Sequence, residues 1–173
     1  MTAFGDARAR VGFCRDAARR VLRENAVTAP GTPVEKIVEA AGLRVLERDW
    51  PQKTSGILLR SQRIIGVNRN HAPVRKLFSL AHEFGHYILK HHLWFESNQN
   101  VTIDSPPPEG CDGEDKTPER EANIFAGELL VPLSLLKREV RRGRSVKDLA
   151  HVFRVSEQTM FIALQDYRLL NRL

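Results

Sequence analysis

The sequence predicts an α+β fold in which helices enclose a small sheet of three short strands. Apolar residues recur at helical spacing over most of the chain, and the period changes to alternation between residues 43 and 68. The length of 173 residues fits one compact domain with at most a small appendage. With 42% hydrophobic and 28% charged residues, the composition is that of an ordinary globular protein, which excludes wholesale disorder and fibrous repeats.

Two helices are predicted before the sheet. Apolar and small residues form one stripe at helical spacing over residues 7–24, and arginines occupy the opposite face. The next helix begins with Thr32 as its N-cap and ends at Gly42. Three strands follow, and the last two form a hairpin around the polar pair at residues 61–62, so the sheet is antiparallel or mixed.

Helices dominate the rest of the chain. A long helix, the centre of the predicted fold, runs from Val74 to about His91. Residues 96–117 contain three consecutive prolines and a run of acids, which predicts an irregular loop. Pro118 begins another helix, which ends at the step from Val131 to proline.

The C-terminal part predicts a short basic helix and then two helices around a tight turn capped by Ser156. This pair has the length of a helix-turn-helix motif. We therefore divide the chain into a domain over residues 1–132 and a C-terminal helical extension over residues 133–173 that packs on it.

Charge and cysteine content exclude several classes of protein. Lys and Arg number 27 against 21 Asp and Glu, and the net charge of +6 suits an anionic partner, either nucleic acid or an acidic protein surface. Cys14 and Cys111 form no C-x-x-C pair, which excludes a disulfide framework and a thiolate-rich zinc site. Because we find neither a signal peptide nor an apolar stretch long enough to span a membrane, we expect a cytoplasmic protein.

The long helix contains the pattern His-Glu-x-x-His at residues 82–86. Imidazoles four residues apart lie on one helix face, so His82 and His86 can both bind one tetrahedral Zn²⁺. Glu83 can accept a proton from a zinc-bound water, whose pKa the metal lowers towards ~7. The alternative interpretation is a pair of histidines on a helix surface.

A catalytic zinc needs a third protein ligand, and the helix that follows Pro118 provides candidates. Glu119 could bind the metal while Asn123, one turn later, hydrogen-bonds a ligand histidine from behind. Glu121, two positions after the first candidate, is the reserve ligand. Alternatively, both glutamates only complement the helix N-terminus.

A histidine beyond the motif is a rival ligand. His92 has the spacing of the third histidine in H-E-x-x-H-x-x-G-x-x-H, but Leu89 stands where that pattern needs a glycine. If the helix continues, His92 lies on a different side of it and cannot share the metal. We therefore interpret His91 and His92 as a solvated helix end, or as an aid at the rim of the site. We interpret His71 and His151 as surface residues.

The segments FSLAHEFGHYILKHH and EREANIFAGELLVP resemble the ImmA/IrrE-type metallopeptidases of bacteria and their mobile elements. The resemblance spans roughly residues 56–132 and extends weakly to LAHVFRVSEQTMFIAL. It implies a compact, gluzincin-like (zincin-like) domain and a zinc metalloendopeptidase in which His82, His86 and Glu119 bind Zn²⁺ and Glu83 is the general base. It also implies the substrate, a partner helix-turn-helix repressor whose site-specific cleavage relieves transcriptional repression after stress or induction.

Other functions stay open at this point. The C-terminal helix pair could bind DNA, with Gln158 and Thr159 as base-reading side chains, although the apolar residues at 160–164 indicate a helix packed on its own domain. The protein could also be a non-proteolytic regulator that binds a repressor without cutting it. Cys111 in the acidic loop could cap the zinc as an inhibitory thiolate.

Two basic surfaces are predicted whatever the site does. Their residues are Arg8, Arg15, Arg19 and Arg23 on the first helix, and Lys137, Arg138, Arg141, Arg142 and Arg144 near the short basic helix. A basic surface steers an acidic protein as readily as a phosphate backbone. We expect these surfaces to recruit the repressor, and we expect DNA binding by the isolated protein to be weak and non-specific.

Overall fold

The computed structural model describes residues 9–93, 101–106 and 116–173. Seven α-helices and three strands occur within these ranges, which confirms the predicted α+β fold. The helices are α1 (Val11–Glu24), α2 (Val34–Ala40), α3 (Pro73–Leu89), α4 (Thr117–Leu130), α5 (Leu133–Val140), α6 (Val146–Phe153) and α7 (Glu157–Asp166), and the strands are β1 (Arg44–Arg48), β2 (Gly56–Leu59) and β3 (Ile64–Asn68). Among the described helices, none combines the length and apolar composition that crossing a bilayer requires.

The sheet is mixed, with the strand order β1-β3-β2. β2 and β3 form the predicted antiparallel hairpin, in which Leu58 lies opposite Ile65, whereas β1 pairs with β3 in parallel. A 3₁₀ turn at Arg60–Gln62 connects the hairpin strands. β3 lies in the centre and is buried along its length, as expected for a strand rich in β-branched residues.

The sheet separates two apolar clusters. Leu58 and Ile65 point into the large cluster that also contains the buried faces of the helices. Because side chains alternate along a strand, Ile57 and Ile64 point the other way, where they pack with Trp50. The helices that carry the motif therefore cover one face of the sheet.

α3 and α4 pack closely because a glycine lies where they meet. A Cβ built on Gly85 of α3 would lie 3.1 Å from Phe125 Cδ1 and 3.3 Å from Ala122 Cα. Beside this contact the rings of Phe84 and Phe125 meet edge to face, with centroids 6.0 Å apart. The packing sets the histidine motif of α3 against the start of α4.

α1 packs on α4 through the predicted apolar stripe, which buries Cys14 and its helical neighbours. The helix begins at Val11 rather than residue 7. The backbone N–H of Arg10, the residue just before the helix, donates to Glu121 of α4 at 2.8 Å, a contact with a segment that is distant in the sequence.

Two polar residues differ from their sequence interpretation. Thr32 does not cap α2, because its hydroxyl donates to the carbonyl of Leu129 at 2.8 Å and Pro33 occupies the N-cap position. His71 is not a surface residue: its side chain is buried, and its Nε2 lies 3.0 Å from the carbonyl oxygen of Gln52. His151 is exposed, as predicted.

The C-terminal helices follow their predicted caps. The hydroxyl of Ser156 accepts a hydrogen bond from the backbone of Thr159 at the start of α7. α7 buries Met160, but Phe161 and Ile162 are 48% and 51% exposed, so only part of the apolar stretch packs on the domain as predicted. The division of the chain at residue 132 stays a prediction.

Most of the predicted acidic loop, including Cys111, lies outside the described residues, as does Arg8. The inhibitory thiolate therefore stays a hypothesis.

Candidate metal centre

His82, His86 and Glu119 come together between α3 and α4. The Nε2 atoms of the two histidines lie 3.0 Å apart. The carboxylate oxygens of Glu119 lie 3.1 Å from Nε2 of His82 and 3.0 Å from Nε2 of His86. All three ligand atoms lie within 4.8 Å of one another, a spacing at which they could hold one metal ion.

The hydrogen bond behind His82 has the form that a metal ligand needs. Oδ1 of Asn123 lies 3.0 Å from Nδ1 of His82, so it accepts the Nδ1 proton and the neutral ring keeps a lone pair on Nε2. This is the contact predicted for Asn123. Nε2 of His82, Nε2 of His86 and the carboxylate of Glu119 converge on one position, so the donor set fits a metal ion.

Both ionisable ligands on the exposed side of the cluster have shifted pKa values. Burial lowers the pKa of His82, but the hydrogen bond to Glu119 and the charges of Glu83 and Glu119 outweigh it and raise the pKa. Burial opposes ionisation of Glu119, whereas the two histidines bring its pKa well below the usual range. Glu119 is therefore a carboxylate at neutral pH, the form that binds metals.

Glu83, the predicted general base, lies beside the first residue of β2. A Cβ built on Gly56 would lie 3.0 Å from both Cγ and Oε1 of Glu83. Glycine at this position therefore gives the carboxylate its room. Glu83 is half-buried and stands outside the three-ligand group, as a general base should.

Glu121, the reserve ligand, points away from this group. Its carboxylate accepts hydrogen bonds from Nε and Nη2 of Arg10 at 2.9 and 2.7 Å and lies 3.1 Å from Nε2 of His91. The hydrogen bond from Arg10 lowers the pKa of Glu121 to about 2. Glu119, not Glu121, contacts the two motif histidines, and His92 is exposed and outside the group.

The profile of the IrrE N-terminal-like domain, Peptidase_M78, matches residues 38–164. The chain belongs to this family. The match covers both motifs and confirms the resemblance found in the sequence. Membership in the Peptidase_M78 family points to a peptidase-type regulator.

A solved structure described as a Mycobacterium tuberculosis transcriptional regulator is similar to this IrrE-like chain. The TM-score is 0.65 at 18% sequence identity, and the alignment covers 88% of this chain and 46% of that one. At this identity the likeness shows the fold alone. The chain spans about half the length of that regulator. No curated protein gives a significant match.

His91 lies beside the IrrE-like site, in contact with His86, although the sequence favoured a solvated helix end over a residue at the rim of the site. Its side chain is only 7% exposed, so the predicted solvated helix end is wrong for this residue. α3 ends before Lys90, whose left-handed φ of 58° turns the chain back towards the helix. Nδ1 of His91 thereby lies 3.1 Å from Nδ1 of His86, and burial lowers the pKa of His91.

Arg60 fixes this turn from the hairpin connection. Its guanidinium donates to the carbonyls of His86 and His91, both at 3.0 Å, and to the carbonyl of Tyr87 at 3.2 Å. His86 and Tyr87 belong to the last turn of α3, where the helix dipole also favours a cation, and His91 lies in the turn that follows. The end of the motif helix is thus tied to the sheet.

A cavity of about 370 Å³ adjoins the other side of the site. Phe78, which stacks on the ring of His82, and Asn123 contribute to its wall, and Ile162 of α7 lines its far side. The cavity lies behind His82, because Asn123 contacts the ring nitrogen opposite the one that faces Glu119.

Proposed function

We propose that the protein is a zinc-dependent endopeptidase that hydrolyses a peptide bond in a helix-turn-helix repressor and so relieves repression. The observation that carries this proposal is the cluster of His82, His86 and Glu119 with Glu83 beside it. Membership in a peptidase family supports the reaction class. The metal as zinc, the repressor as substrate and the cytoplasm as location are parts of the proposal.

The chain's own residues divide the work of hydrolysis. His82, His86 and Glu119 would hold the metal and leave one position open. Zinc bound there would polarise the scissile carbonyl and lower the pKa of a water molecule. Glu83 takes the proton of the attacking water and then gives it to the departing amine, so the carboxylate is regenerated.

The edge of the sheet supports a peptide as substrate. Within the described residues, β2 pairs with β3 on one side only. An extended peptide could add to the other side of β2 through backbone hydrogen bonds. Because Gly56 begins β2 and adjoins Glu83, such a peptide would pass the general base.

The basic surfaces are less available to a partner than their composition suggests. Arg15 pairs with Asp166 at 3.2 Å, and Arg19 pairs with the buried Glu128 at 3.1 Å. Another set of arginines surrounds the buried Glu139, namely Arg138, Arg142 and Arg144. We propose that the exposed cations that are left, which include Arg23, Lys137 and Arg141, recruit the repressor.

The decisive experiment compares the wild type with Glu83→Gln. The purified proteins are incubated with Zn²⁺ and the helix-turn-helix regulator encoded beside the gene, and mass spectrometry identifies the products. We expect a single cut by the wild type and none by Glu83→Gln, with about one zinc per chain in both, because the amide keeps the shape but accepts no proton. Glu39→Gln, on the exposed side of α2, is the control and should cut normally.

Two outcomes would contradict this assignment. Loss of zinc from Glu83→Gln would make Glu83 a ligand, and undiminished cleavage would remove it from the mechanism. A wild-type protein that binds no divalent metal would refute the metallopeptidase itself.

A second candidate function is a regulator that binds a repressor or DNA through α6 and α7 without cleavage. The observation that favours a protein partner is the exposed apolar pair Phe161 and Ile162 on α7. Direct binding to the repressor and to operator DNA, each measured alone at physiological salt, separates these cases. Selective affinity for the operator would support the DNA-binding alternative, and relief of repression by Glu83→Gln would support binding without cleavage.

A further inference from the structure

We infer that Arg10, Glu121 and His91 form a chain of hydrogen bonds that positions His86 as a metal ligand. The chain joins three separate segments: the N-cap of α1, the first half of α4 and the turn after α3. The inference rests on the proposed metal centre, and it gives Glu121 and His91 a role that their distance from the metal position does not suggest.

The chain begins at a carboxylate held between two donors. Arg10 donates its backbone N–H and two guanidinium N–H groups to Glu121, at 2.8, 2.9 and 2.7 Å. The hydrogen bonds from the Arg10 guanidinium keep Glu121 ionised although its side chain is buried. Because Glu121 is only 2% exposed, its remaining hydrogen bond comes from the protein. That donor is Nε2 of His91, 3.1 Å from Oε2.

The proton on Nε2 of His91 determines the rest of the chain. A neutral imidazole with its proton on Nε2 has a lone pair on Nδ1. Nδ1 of His91 lies 3.1 Å from Nδ1 of His86, so His86 donates its Nδ1 proton there. Nε2 of His86 then carries a lone pair, and this atom lies 3.0 Å from Glu119 and from Nε2 of His82.

The opposite arrangement would disable the ligand. If His91 donated from Nδ1, His86 would carry its proton on Nε2, directed into the space where the metal binds. His82 avoids this through Asn123, and His86 avoids it through His91. Hydrogen-bond partners of this kind fix both the tautomer and the ring orientation of a metal ligand.

The protein contains a matched control for this chain of hydrogen bonds, seven residues further along α4. Glu128 is also 2% exposed and also accepts hydrogen bonds from an arginine of α1, Arg19, at 3.1 and 3.4 Å. Its other partners are the phenol of Tyr167 and the backbone N–H of Leu133. Removing Glu128 therefore breaks a similar buried pair whose contacts lead away from the histidines.

The first test measures zinc affinity by competition with a chromophoric chelator. We expect His91→Ala and Glu121→Gln to bind zinc about 10- to 100-fold more weakly than the wild type, the usual effect of losing such a partner. Glu128→Gln and the exposed neighbour His92→Ala should stay within about twofold. His91→Asn should recover part of the affinity, because its amide oxygen can accept the Nδ1 proton of His86.

The second test reads the tautomer directly, without metal. In ¹⁵N-histidine NMR spectra of the metal-free protein, recorded at alkaline pH, His86 should carry its proton on Nδ1. His91→Ala and Glu121→Gln should lose this preference, whereas His82 should keep its Nδ1 proton in both. Melting of the metal-free variants, measured alongside, shows that each is folded.

The outcomes separate the inference from the proposed function. Unchanged zinc affinity in folded His91→Ala and Glu121→Gln, or an unchanged His86 tautomer, would overturn the positioning chain and leave the metallopeptidase intact. A wild type that binds no zinc would refute the metallopeptidase. The NMR spectra of the metal-free protein would then be the test of the hydrogen-bond chain. An equal loss of affinity in Glu128→Gln would reduce the effect to general destabilisation and refute the specific role.

Discussion

Each half of α4 contains a buried glutamate that is paired with an arginine of the N-terminal segment, but the two pairs have different roles. Glu121 and Glu128 are equally buried, and each accepts hydrogen bonds from an arginine: Glu121 from Arg10 at the N-cap of α1, and Glu128 from Arg19 within the same helix. From Glu121 the contacts continue through His91 to the metal cluster, whereas from Glu128 they continue to Tyr167 at the end of α7. A buried ion pair therefore shows its role through its next contact and not through its burial.

The largest effect on stability that we expect comes from the second half of α4. Glu128→Ala should lower the free energy of unfolding by about 3 kcal/mol, because Arg19 and Tyr167 lose a buried partner. The loss is not larger because Arg19 is partly exposed and stays hydrated. Urea denaturation measures this change, and zinc competition on the same variant should give the wild-type affinity. A clear loss of zinc affinity would mean that the two halves of α4 are coupled.

The first half of α4 depends on a close helix contact. Gly85→Ala should destabilise the protein by about 2 kcal/mol, because the new methyl group would press on Phe125 and on the backbone of Ala122. The same displacement moves the helix of Glu119 away from His82 and His86, so zinc affinity should fall as well. Unfolding and zinc competition measure the two effects, and loss of stability with normal affinity would contradict this account.

The sequence predicts what lies within one helix and misses what depends on packing between helices. His82 and His86 share a helix face, and Glu119 and Asn123 share another at the same spacing, so helix geometry predicted the three candidate ligands and the contact behind His82, with Glu121 left as the alternative to Glu119. The strands and the hairpin followed from a change of period that is equally local. The bounds of α4 followed from the prolines at its two ends, whereas α1 begins four residues later and α3 ends two residues earlier than the apolar pattern predicted.

On the His86 side of the cluster, the contacts join residues that no local sequence pattern connects. Arg10 and Glu121 are 111 positions apart, and His91 reaches His86 only because Lys90 takes a left-handed conformation that Arg60 helps to fix. Helical periodicity continued past Lys90 would leave His91 in solvent, which is why that interpretation was wrong. The predictions for Thr32 and His71 were wrong for the same reason, because the hydrogen-bond partners of these residues come from other segments of the chain.

Alkaline pH provides a test of the contact between α1 and α4. Burial raises the pKa of Cys14 to about 11, above its ordinary value of 9.0. Because the thiol ionises first in the unfolded chain, the stabilising contribution is complete below about pH 9 and is lost as the pH rises towards 11. Between these values the free energy of unfolding should fall by up to about 1.4 kcal/mol per pH unit. Denaturation of Cys14→Ala over the same range should show a shallower slope, and an unchanged slope would assign it to other groups.

The smallest expected effect is a gain in stability, and it comes from a second glycine, which lies in the second half of α4. Gly127, next to Glu128, has no atom within 4 Å of the position that a Cβ would take, in contrast to the crowded Gly85. Alanine in the interior of a helix is favoured over glycine by about 1 kcal/mol because glycine loses more backbone entropy on folding. Gly127→Ala should therefore raise the free energy of unfolding by about 0.5–1 kcal/mol and leave zinc affinity unchanged. Because Gly127 also lines the cavity behind His82, a stabilised variant with altered zinc affinity would show that the cavity and the metal centre are linked after all.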